Sequence, residues 1–246
     1  MEYRLDLHVH SERSPDGRMD PEDIARRAME KGLQAVALCD HGTGPSFPEA
    51  PNGFVFIPGV ELATERGHLL GLFVEKPVSG GTFAESVRAI HEAGGLAVMA
   101  HPFEHRRDGR ALDDILPLLD GIEVINARAD RKNRCANRMA AELADRTGLL
   151  YTAGSDAHVE REIGNAFVCV EAEELTVDAL RRALCEGAVR AEGRDAHWLD
   201  TARSRWTRLR RERAGLRDRL TGLLFACKCA AQDCIRNGRK SHVYHR

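Results

Sequence analysis

Six of the eleven histidines in this 246-residue chain sit at the edges of apolar runs, four of them close to a carboxylate or a second imidazole. Asp6-Leu7-His8-Val9-His10 closes the first run, Cys39-Asp40-His41 the second and Gly59-Val60-Glu61 the third. His68 opens the next after a tight Arg66-Gly67 turn, Ala100-His101-Pro102 ends another, and Ser155-Asp156-Ala157-His158 follows the run 149–153. Imidazole and carboxylate without thiolate suit Zn²⁺, Mn²⁺ or Fe²⁺ better than a soft copper site. Two histidines two residues apart can both turn toward one ion at a frayed strand end, and a carboxylate such as Glu61 can bridge two ions. One such histidine alone reads as an ordinary hydrogen-bonded residue. The HxH, DH and SDAH groups together, each after an apolar run, read as a metal centre. His91, His105, His197, His242 and His245 fall outside this pattern and are assigned no chemistry.

These residues can meet only if the intervening elements bring them to one face. Apolar runs at 3–8, 34–39, 54–60, 68–74, 96–100, 121–126, 149–153 and 166–170 read as strands, and amphipathic stretches lie between them. Asp20-Pro21 opens a helix at 21–31 that Gly32 ends, and Thr176 caps one at 177–186 that Gly187 ends. Stretches 83–93 and 134–147 are likewise followed by glycine. Alternation of this kind predicts an α/β fold with parallel strands, closed into a barrel, whose strand C-termini share one face.

The motif set, in order over residues 3–193, resembles the PHP (polymerase and histidinol phosphatase) superfamily of metal-dependent phosphoesterases. Asp6-Leu7-His8-Val9-His10-Ser11, Asp40-His41-Gly42, Gly59-Val60-Glu61, Gly67-His68, His101-Pro102 and Gly154-Ser155-Asp156-Ala157-His158 carry the resemblance. It implies a distorted (βα)7 TIM-like barrel holding two to three divalent ions (Zn, Mn or Fe). By that resemblance His8, His10, Glu61 and Asp156 are ligands of a first metal. Glu61, His68 and His101 belong to a second, and Asp16, His41 and His158 to a third.

Two ions sharing Glu61 and a bridging water would supply hydroxide for in-line attack on phosphorus, with Asp156 and His158 as catalytic neighbours. Arg106, Arg107, Asn126 and Arg128 follow strand ends on the same face and are candidates for gripping the substrate phosphate. The expected function is hydrolysis of a phosphate ester on a small phosphorylated metabolite or nucleotide. Alternatives are a 5′-3′ exonuclease or nucleoside 3′,5′-bisphosphate phosphatase acting on nucleic-acid ends, and a non-catalytic metal-containing binding module. Only 32 residues separate His68 from His101, which leaves no room for an inserted lid domain and weighs against the nucleotide-directed alternative.

The net charge of −2 conceals a division: residues 197–246 carry 13 Lys+Arg against 4 Asp+Glu, leaving 23 against 34 in residues 1–196. This places a boundary near Gly193, between a barrel (1–193) and a basic, mostly helical extension (194–246). Within it, 197–219 reads as one basic helix with an imperfect apolar stripe that packs on the barrel or a partner. Nucleic-acid contact through its arginines is a second use. Seven scattered cysteines and the absence of an apolar leader predict a reduced, cytoplasmic protein. Cys227-Lys228-Cys229 with Cys234 lacks the second pair a zinc site would need, and no apolar run is long enough to span a membrane.

Overall fold

A computed structural model describes residues 1–246 except 43, 47, 107–108 and 236–239, with backbone only at 110 and 111. The first eight strands are β1 (Glu2–Val9), β2 (Ala35–Leu38), β3 (Val55–Thr64), β4 (Gly67–Leu72), β5 (Leu96–Met99), β6 (Gly121–Asn126), β7 (Leu150–Gly154) and β8 (Ala166–Glu171). They match the eight apolar runs to within a few residues. Two more, β9 (Arg190–Arg194) and β10 (Ser241–His245), are too charged to stand out as apolar. All ten form one sheet in the order β10-β9-β8-β1-β2-β3-β4-β5-β6-β7.

The predicted parallel pairing holds for β1–β2–β3 and β5–β6–β7. It fails at β4, which runs antiparallel to both β3 and β5, and at β8 against β1. The cause at β4 is connection length: Glu65-Arg66 makes a hairpin turn, and a parallel pairing needs a crossover of a dozen or more residues. The inversion matters for the site. Because β4 runs backwards, His68 near its start lies on the face where β3 and β5 end.

The sheet curls into a distorted TIM-like half-barrel. Its closure is visible where the chain leaving β7 meets the end of β1: the Asp156 amide donates to His8 O at 2.8 Å, and the His10 amide to Ala157 O at 2.9 Å. Gly154 permits this approach, since a Cβ there would stand 2.2 Å from that of His8.

Four helices cover the outside: α1 (Pro21–Glu30), α2 (Phe83–Glu92), α3 (Ala136–Thr147) and α4 (Val177–Glu186). Each begins or ends as its sequence requires. The Asp20 carboxylate accepts from the Asp23 amide, Thr82 and Glu85 form a reciprocal capping box, Thr176 accepts from the Ala179 amide, and Gly148 ends α3 in the left-handed conformation. α1 buries Ile24, Ala25 and Ala28 in a cluster with Val9, Val36 and Phe54, which supports the β1 and β2 ends that carry His8, His10 and His41.

The basic stretch is not one helix. α5 (Trp198–Arg211) stops at Glu212, Arg213 turns at φ 50°, and α6 (Leu216–Ile235) begins after Gly215. The pair folds back antiparallel, with Gly222 of α6 against Leu209 and Trp206 of α5. The apolar stripe expected to run from Trp198 to Leu220 therefore divides: Ala202 is buried, while Leu216 and Leu220 stay exposed. Both Asp233 carboxylate oxygens accept amides at the start of α5, from Trp198 and Leu199 at 2.9 Å each. We predict that Asp233→Ala lowers stability by about 1 kcal/mol, the usual value of a helix N-terminal cap. Denaturant unfolding checks this; an unchanged midpoint would show that the cap contributes nothing.

Beyond the helices, β10 pairs with β9 and returns the chain to the sheet. Among the described residues no helix is long and apolar enough to cross a membrane.

Candidate metal centre

All nine side chains singled out as ligands lie at one end of the half-barrel, though up to 150 positions separate them. Glu61, fully enclosed, stands at the middle. Its Oε2 lies 3.0 Å from His41 Nδ1, 3.4 Å from His10 Nε2 and 3.6 Å from His8 Nε2, and its Oε1 lies 2.7 Å from His68 Nδ1 and 3.3 Å from His101 Nε2. Asp156 Oδ1 is 3.4 Å from His10 and 3.5 Å from His158, and Asp16 Oδ1 is 3.4 Å from His158 and 3.7 Å from His41. Among the described residues four groups have donor atoms close enough to share an ion: His8, His10 and Asp156; Glu61, His68 and His101; and His10, His41 and His158 within this cluster; and Asp130, Asp195 and His242 outside it.

Several contacts crowd atoms of the metal-ligating kind together. His8 Nε2 and His10 Nε2 face each other at 3.1 Å. Asp16 Oδ1 is buried with no well-aligned hydrogen-bond partner among the described residues, its nearest imidazole nitrogen being His158 Nε2 at 3.4 Å, which is costly unless another group satisfies it. Imidazole lone pairs and carboxylate oxygens converging in this way form a donor set that fits divalent cations of the hard-to-borderline class. Two of the candidates hold a left-handed backbone, His101 at φ 29° and Asp156 at φ 53°. Such strain concentrates where side chains must be aimed.

Electrostatics separate the roles. Burial alone would raise the Glu61 pKa, but His8, His101, His41 and His68 outweigh it and hold the carboxyl well below its ordinary range. Asp156 is likewise held low, with burial opposed by His8, His10 and Arg128. Burial lowers His10 to about 3, aided by the His158 and His41 charges, so this imidazole is neutral with a lone pair to give.

A set of buried polar residues that spacing alone did not single out orients these ligands. Glu123 Oε1 accepts from His8 Nδ1 at 2.8 Å, leaving His8 Nε2 to face the cluster. Its Oε2 accepts the His101 amide at 2.7 Å and the Asn126 side-chain amide at 3.0 Å. Asp40 accepts from Ser11 and Ser14, and the Ser14 hydroxyl contacts His10 Nδ1 at 3.0 Å and accepts the His41 amide at 3.1 Å. Asp6 accepts the Ser155 and Gly164 amides; burial pushes its carboxyl up to about 6. The available signal was position: Glu123 lies inside an apolar strand, where an acid needs a reason to be. We predict that Glu123→Gln, which keeps the shape but weakens the hold on His8, lowers metal affinity about 10- to 100-fold. Titration against a chelating indicator measures this, and wild-type affinity would remove Glu123 from the site.

The predicted phosphate-gripping residues are differently placed. Arg128 borders the pocket over the cluster, but its guanidinium is engaged bidentately by buried Glu162. Asn126 is buried and bonded to Glu123 and Asn137, so it braces the site. Arg106 donates to the carbonyls of Pro102 and Arg66. Arg107 lies outside the described residues. Sequence reasoning passed over Arg131, which is buried at the pocket wall. Cys227 and Cys229 fall within α6 on different sides, one exposed and one buried.

Comparison with known proteins agrees with this geometry. The PHP domain pattern matches residues 6–94, and a PHP-associated pattern matches residues 134–189. An uncharacterized protein of Methanocaldococcus jannaschii is 32% identical over 169 residues, covering 60% of this chain and 98% of its own. This chain belongs to the PHP family of metal-dependent phosphoesterases. A 5′-3′ exoribonuclease of Haemophilus influenzae is 33% identical over 141 residues, but the match covers 53% of this chain and only 50% of that protein. Among solved structures, a two-domain protein of Bacteroides vulgatus containing a PHP-like metal-dependent phosphoesterase superposes with a TM-score of 0.61 at 20% identity. That match covers 78% of this chain and 64% of the other, and it speaks to the PHP fold alone.

Proposed function

We propose that this PHP protein hydrolyses phosphate monoesters of small phosphorylated molecules, using divalent ions held by His8, His10, Asp16, His41, Glu61, His68, His101, Asp156 and His158. The observation that carries the reading is Glu61, one buried carboxylate reached by five imidazoles, with Asp156 and Asp16 completing the anionic share. Divalent ions bound there supply Lewis-acid polarisation of the phosphoryl group and water of lowered pKa. The chain's own contributions are orientation and proton handling. Glu123 and Ser14 fix the ring positions of His8 and His10. His158 donates its Nδ1 proton to Asp156 O at 2.9 Å, which turns Nε2 toward Asp16 and the pocket. Asp156, held low, remains a carboxylate facing His10 and His158.

The pocket above the cluster has a volume of about 570 Å³, within the range of small-molecule sites. That size supports a metabolite or single nucleotide. The barrel at 1–193 is taken as the catalytic unit and 194–246 as the segment that closes over it. Action on nucleic-acid ends is the second reading, favoured by the likeness to the exoribonuclease.

Elemental analysis of the purified protein, paired with Mn²⁺-supported hydrolysis of a monoester, a diester and a nucleoside 3′,5′-bisphosphate, tests the proposal. Two to three metals with turnover strongest on the monoester is the expected result. Full metal content with no turnover on any of them would overturn it.

A further inference from the structure

The hairpin of α5 and α6 lies across the mouth of the metal centre and contributes Trp198, Thr201, Phe225 and Lys228 to its wall. It is fastened there at both ends of α5. Arg131 donates to His197 O and to the Thr201 hydroxyl at one end. At the other, Arg211 donates to the carbonyls of Glu12 and Ser14, in the loop that continues to Asp16. The hairpin is thus tied to the same loops that carry the ligands.

Arg131 is the unusual member of this wall. Only 7% of it is exposed, yet its guanidinium bonds to two backbone carbonyls and one hydroxyl, and among the described residues no carboxylate pairs with it. Its neighbour Arg128 has Glu162, and Lys132 has Glu104 at 2.9 Å. Burial, then the Arg128 charge, lower Arg131 to about 10, so it stays cationic at neutral pH. A buried cation hydrogen-bonded only to neutral acceptors, with the Glu162, Asp156 and Glu104 carboxylates acting on it from beyond ion-pair distance, gains from an anion brought beside it. Trp198 and Phe225 add aromatic surface to the same pocket wall, with the Arg205 guanidinium 4.9 Å from the Phe225 ring centroid, and a flat ring can stack on such a surface.

We propose that Arg131, Trp198 and Phe225 form the specificity-determining subsite of this centre, Arg131 taking the phosphoryl anion and the two aromatic residues flanking a ring in the organic group. The favoured substrate is then a small phosphomonoester carrying a planar ring, and ringless esters or polymer ends are poorer. This rests on the phosphomonoesterase reading, so binding and turnover are measured separately.

Binding is followed by Trp198 fluorescence in a Trp206→Phe background, with adenosine 5′-monophosphate as the ring-bearing probe, glycerol phosphate as the ringless one and a short oligonucleotide as the polymer. The metal-loaded full chain is used, and kcat/KM is measured for the same three. The ring-bearing probe is expected to bind about tenfold tighter than glycerol phosphate, and Phe225→Ala to reduce that ratio toward one. Arg131→Met is expected to weaken both monoesters about tenfold or more at unchanged metal content, with part of the loss restored in Arg131→Lys. Thr201→Val removes one of the two Arg131 bonds at the start of α5, leaving that to His197 O, and keeps the charge. If it weakened binding as much as Arg131→Met, Arg131 would be only a tether and the proposal would fall. Equal binding of the two monoesters, or preference for the oligonucleotide, would overturn it as well. Ring-selective binding without turnover would support the subsite and refute the phosphomonoesterase reading; turnover without ring selectivity would do the reverse.

Discussion

Glu61→Gln is expected to lose kcat/KM by about a thousandfold or more and to retain fewer metals than the wild type. The amide keeps the size of the side chain but removes the charge that five imidazoles surround. His8 shows what that charge does: burial alone would lower its pKa, and the Glu123, Asp156 and Glu61 carboxylates together raise it well above the ordinary value. Without Glu61 the cluster keeps its imidazoles but loses the one carboxylate that, among the described residues, lies within reach of His8, His10, His41, His68 and His101 together. Far-ultraviolet circular dichroism should show the fold intact, because β3 is anchored by its pairing with β2 and β4. A folded variant with wild-type metal content and turnover would sink the assignment of Glu61 as the central ligand.

Gly154→Ala should be the most disruptive single-methyl change near the site. The added carbon would stand 2.2 Å from His8 Cβ, and 2.7 and 2.9 Å from the backbone N and Cα of the same residue. Backbone atoms cannot rotate aside as a side-chain tip can, so β7 and β1 must separate. Overpacking of this severity costs roughly 3 kcal/mol. For a chain of this size that corresponds to a fall in Tm of about 6–12 °C. Separation also pulls Asp156 from His10, so metal content should fall together with the melting temperature. An unchanged Tm with full metal loading would show that the half-barrel does not close at this point.

The strands were legible because they are apolar and short, and the helices because Asp20, Thr82, Thr176 and Gly148 mark their ends. The turn at Arg66-Gly67 was legible too, but its consequence was not: a two-residue connection reverses β4, and only that reversal brings His68 to the face where Glu61 and His101 lie. The ligand candidates could be found because histidine and acid seldom follow apolar runs by chance. The residues that aim them were harder to see. Glu123 and Asp6 act through contacts across 115 and 149 positions, and nothing local distinguishes an orienting acid from any other. The arginines were hard to rank for a related reason. Spacing brought Arg106 and Arg128 to the right end of the barrel but does not reveal which acceptors each guanidinium meets there. Arg128 has Glu162, and Arg106 has two carbonyls. Arg131 also meets two carbonyls and a hydroxyl but, among the described residues, no carboxylate within ion-pair distance, and its burial in the pocket wall is a contact that spacing does not reveal.

The nine ligand candidates all lie between residues 8 and 158, whereas the aromatic wall comes from residues 198–228 and β10 joins the sheet only at 241–245. A chain made from its N-terminus at about 5–20 residues per second therefore presents the cation-binding end first. The order of synthesis thus runs from the candidate ligands to the segment that covers them, and the sheet is complete only when β10 has paired with β9.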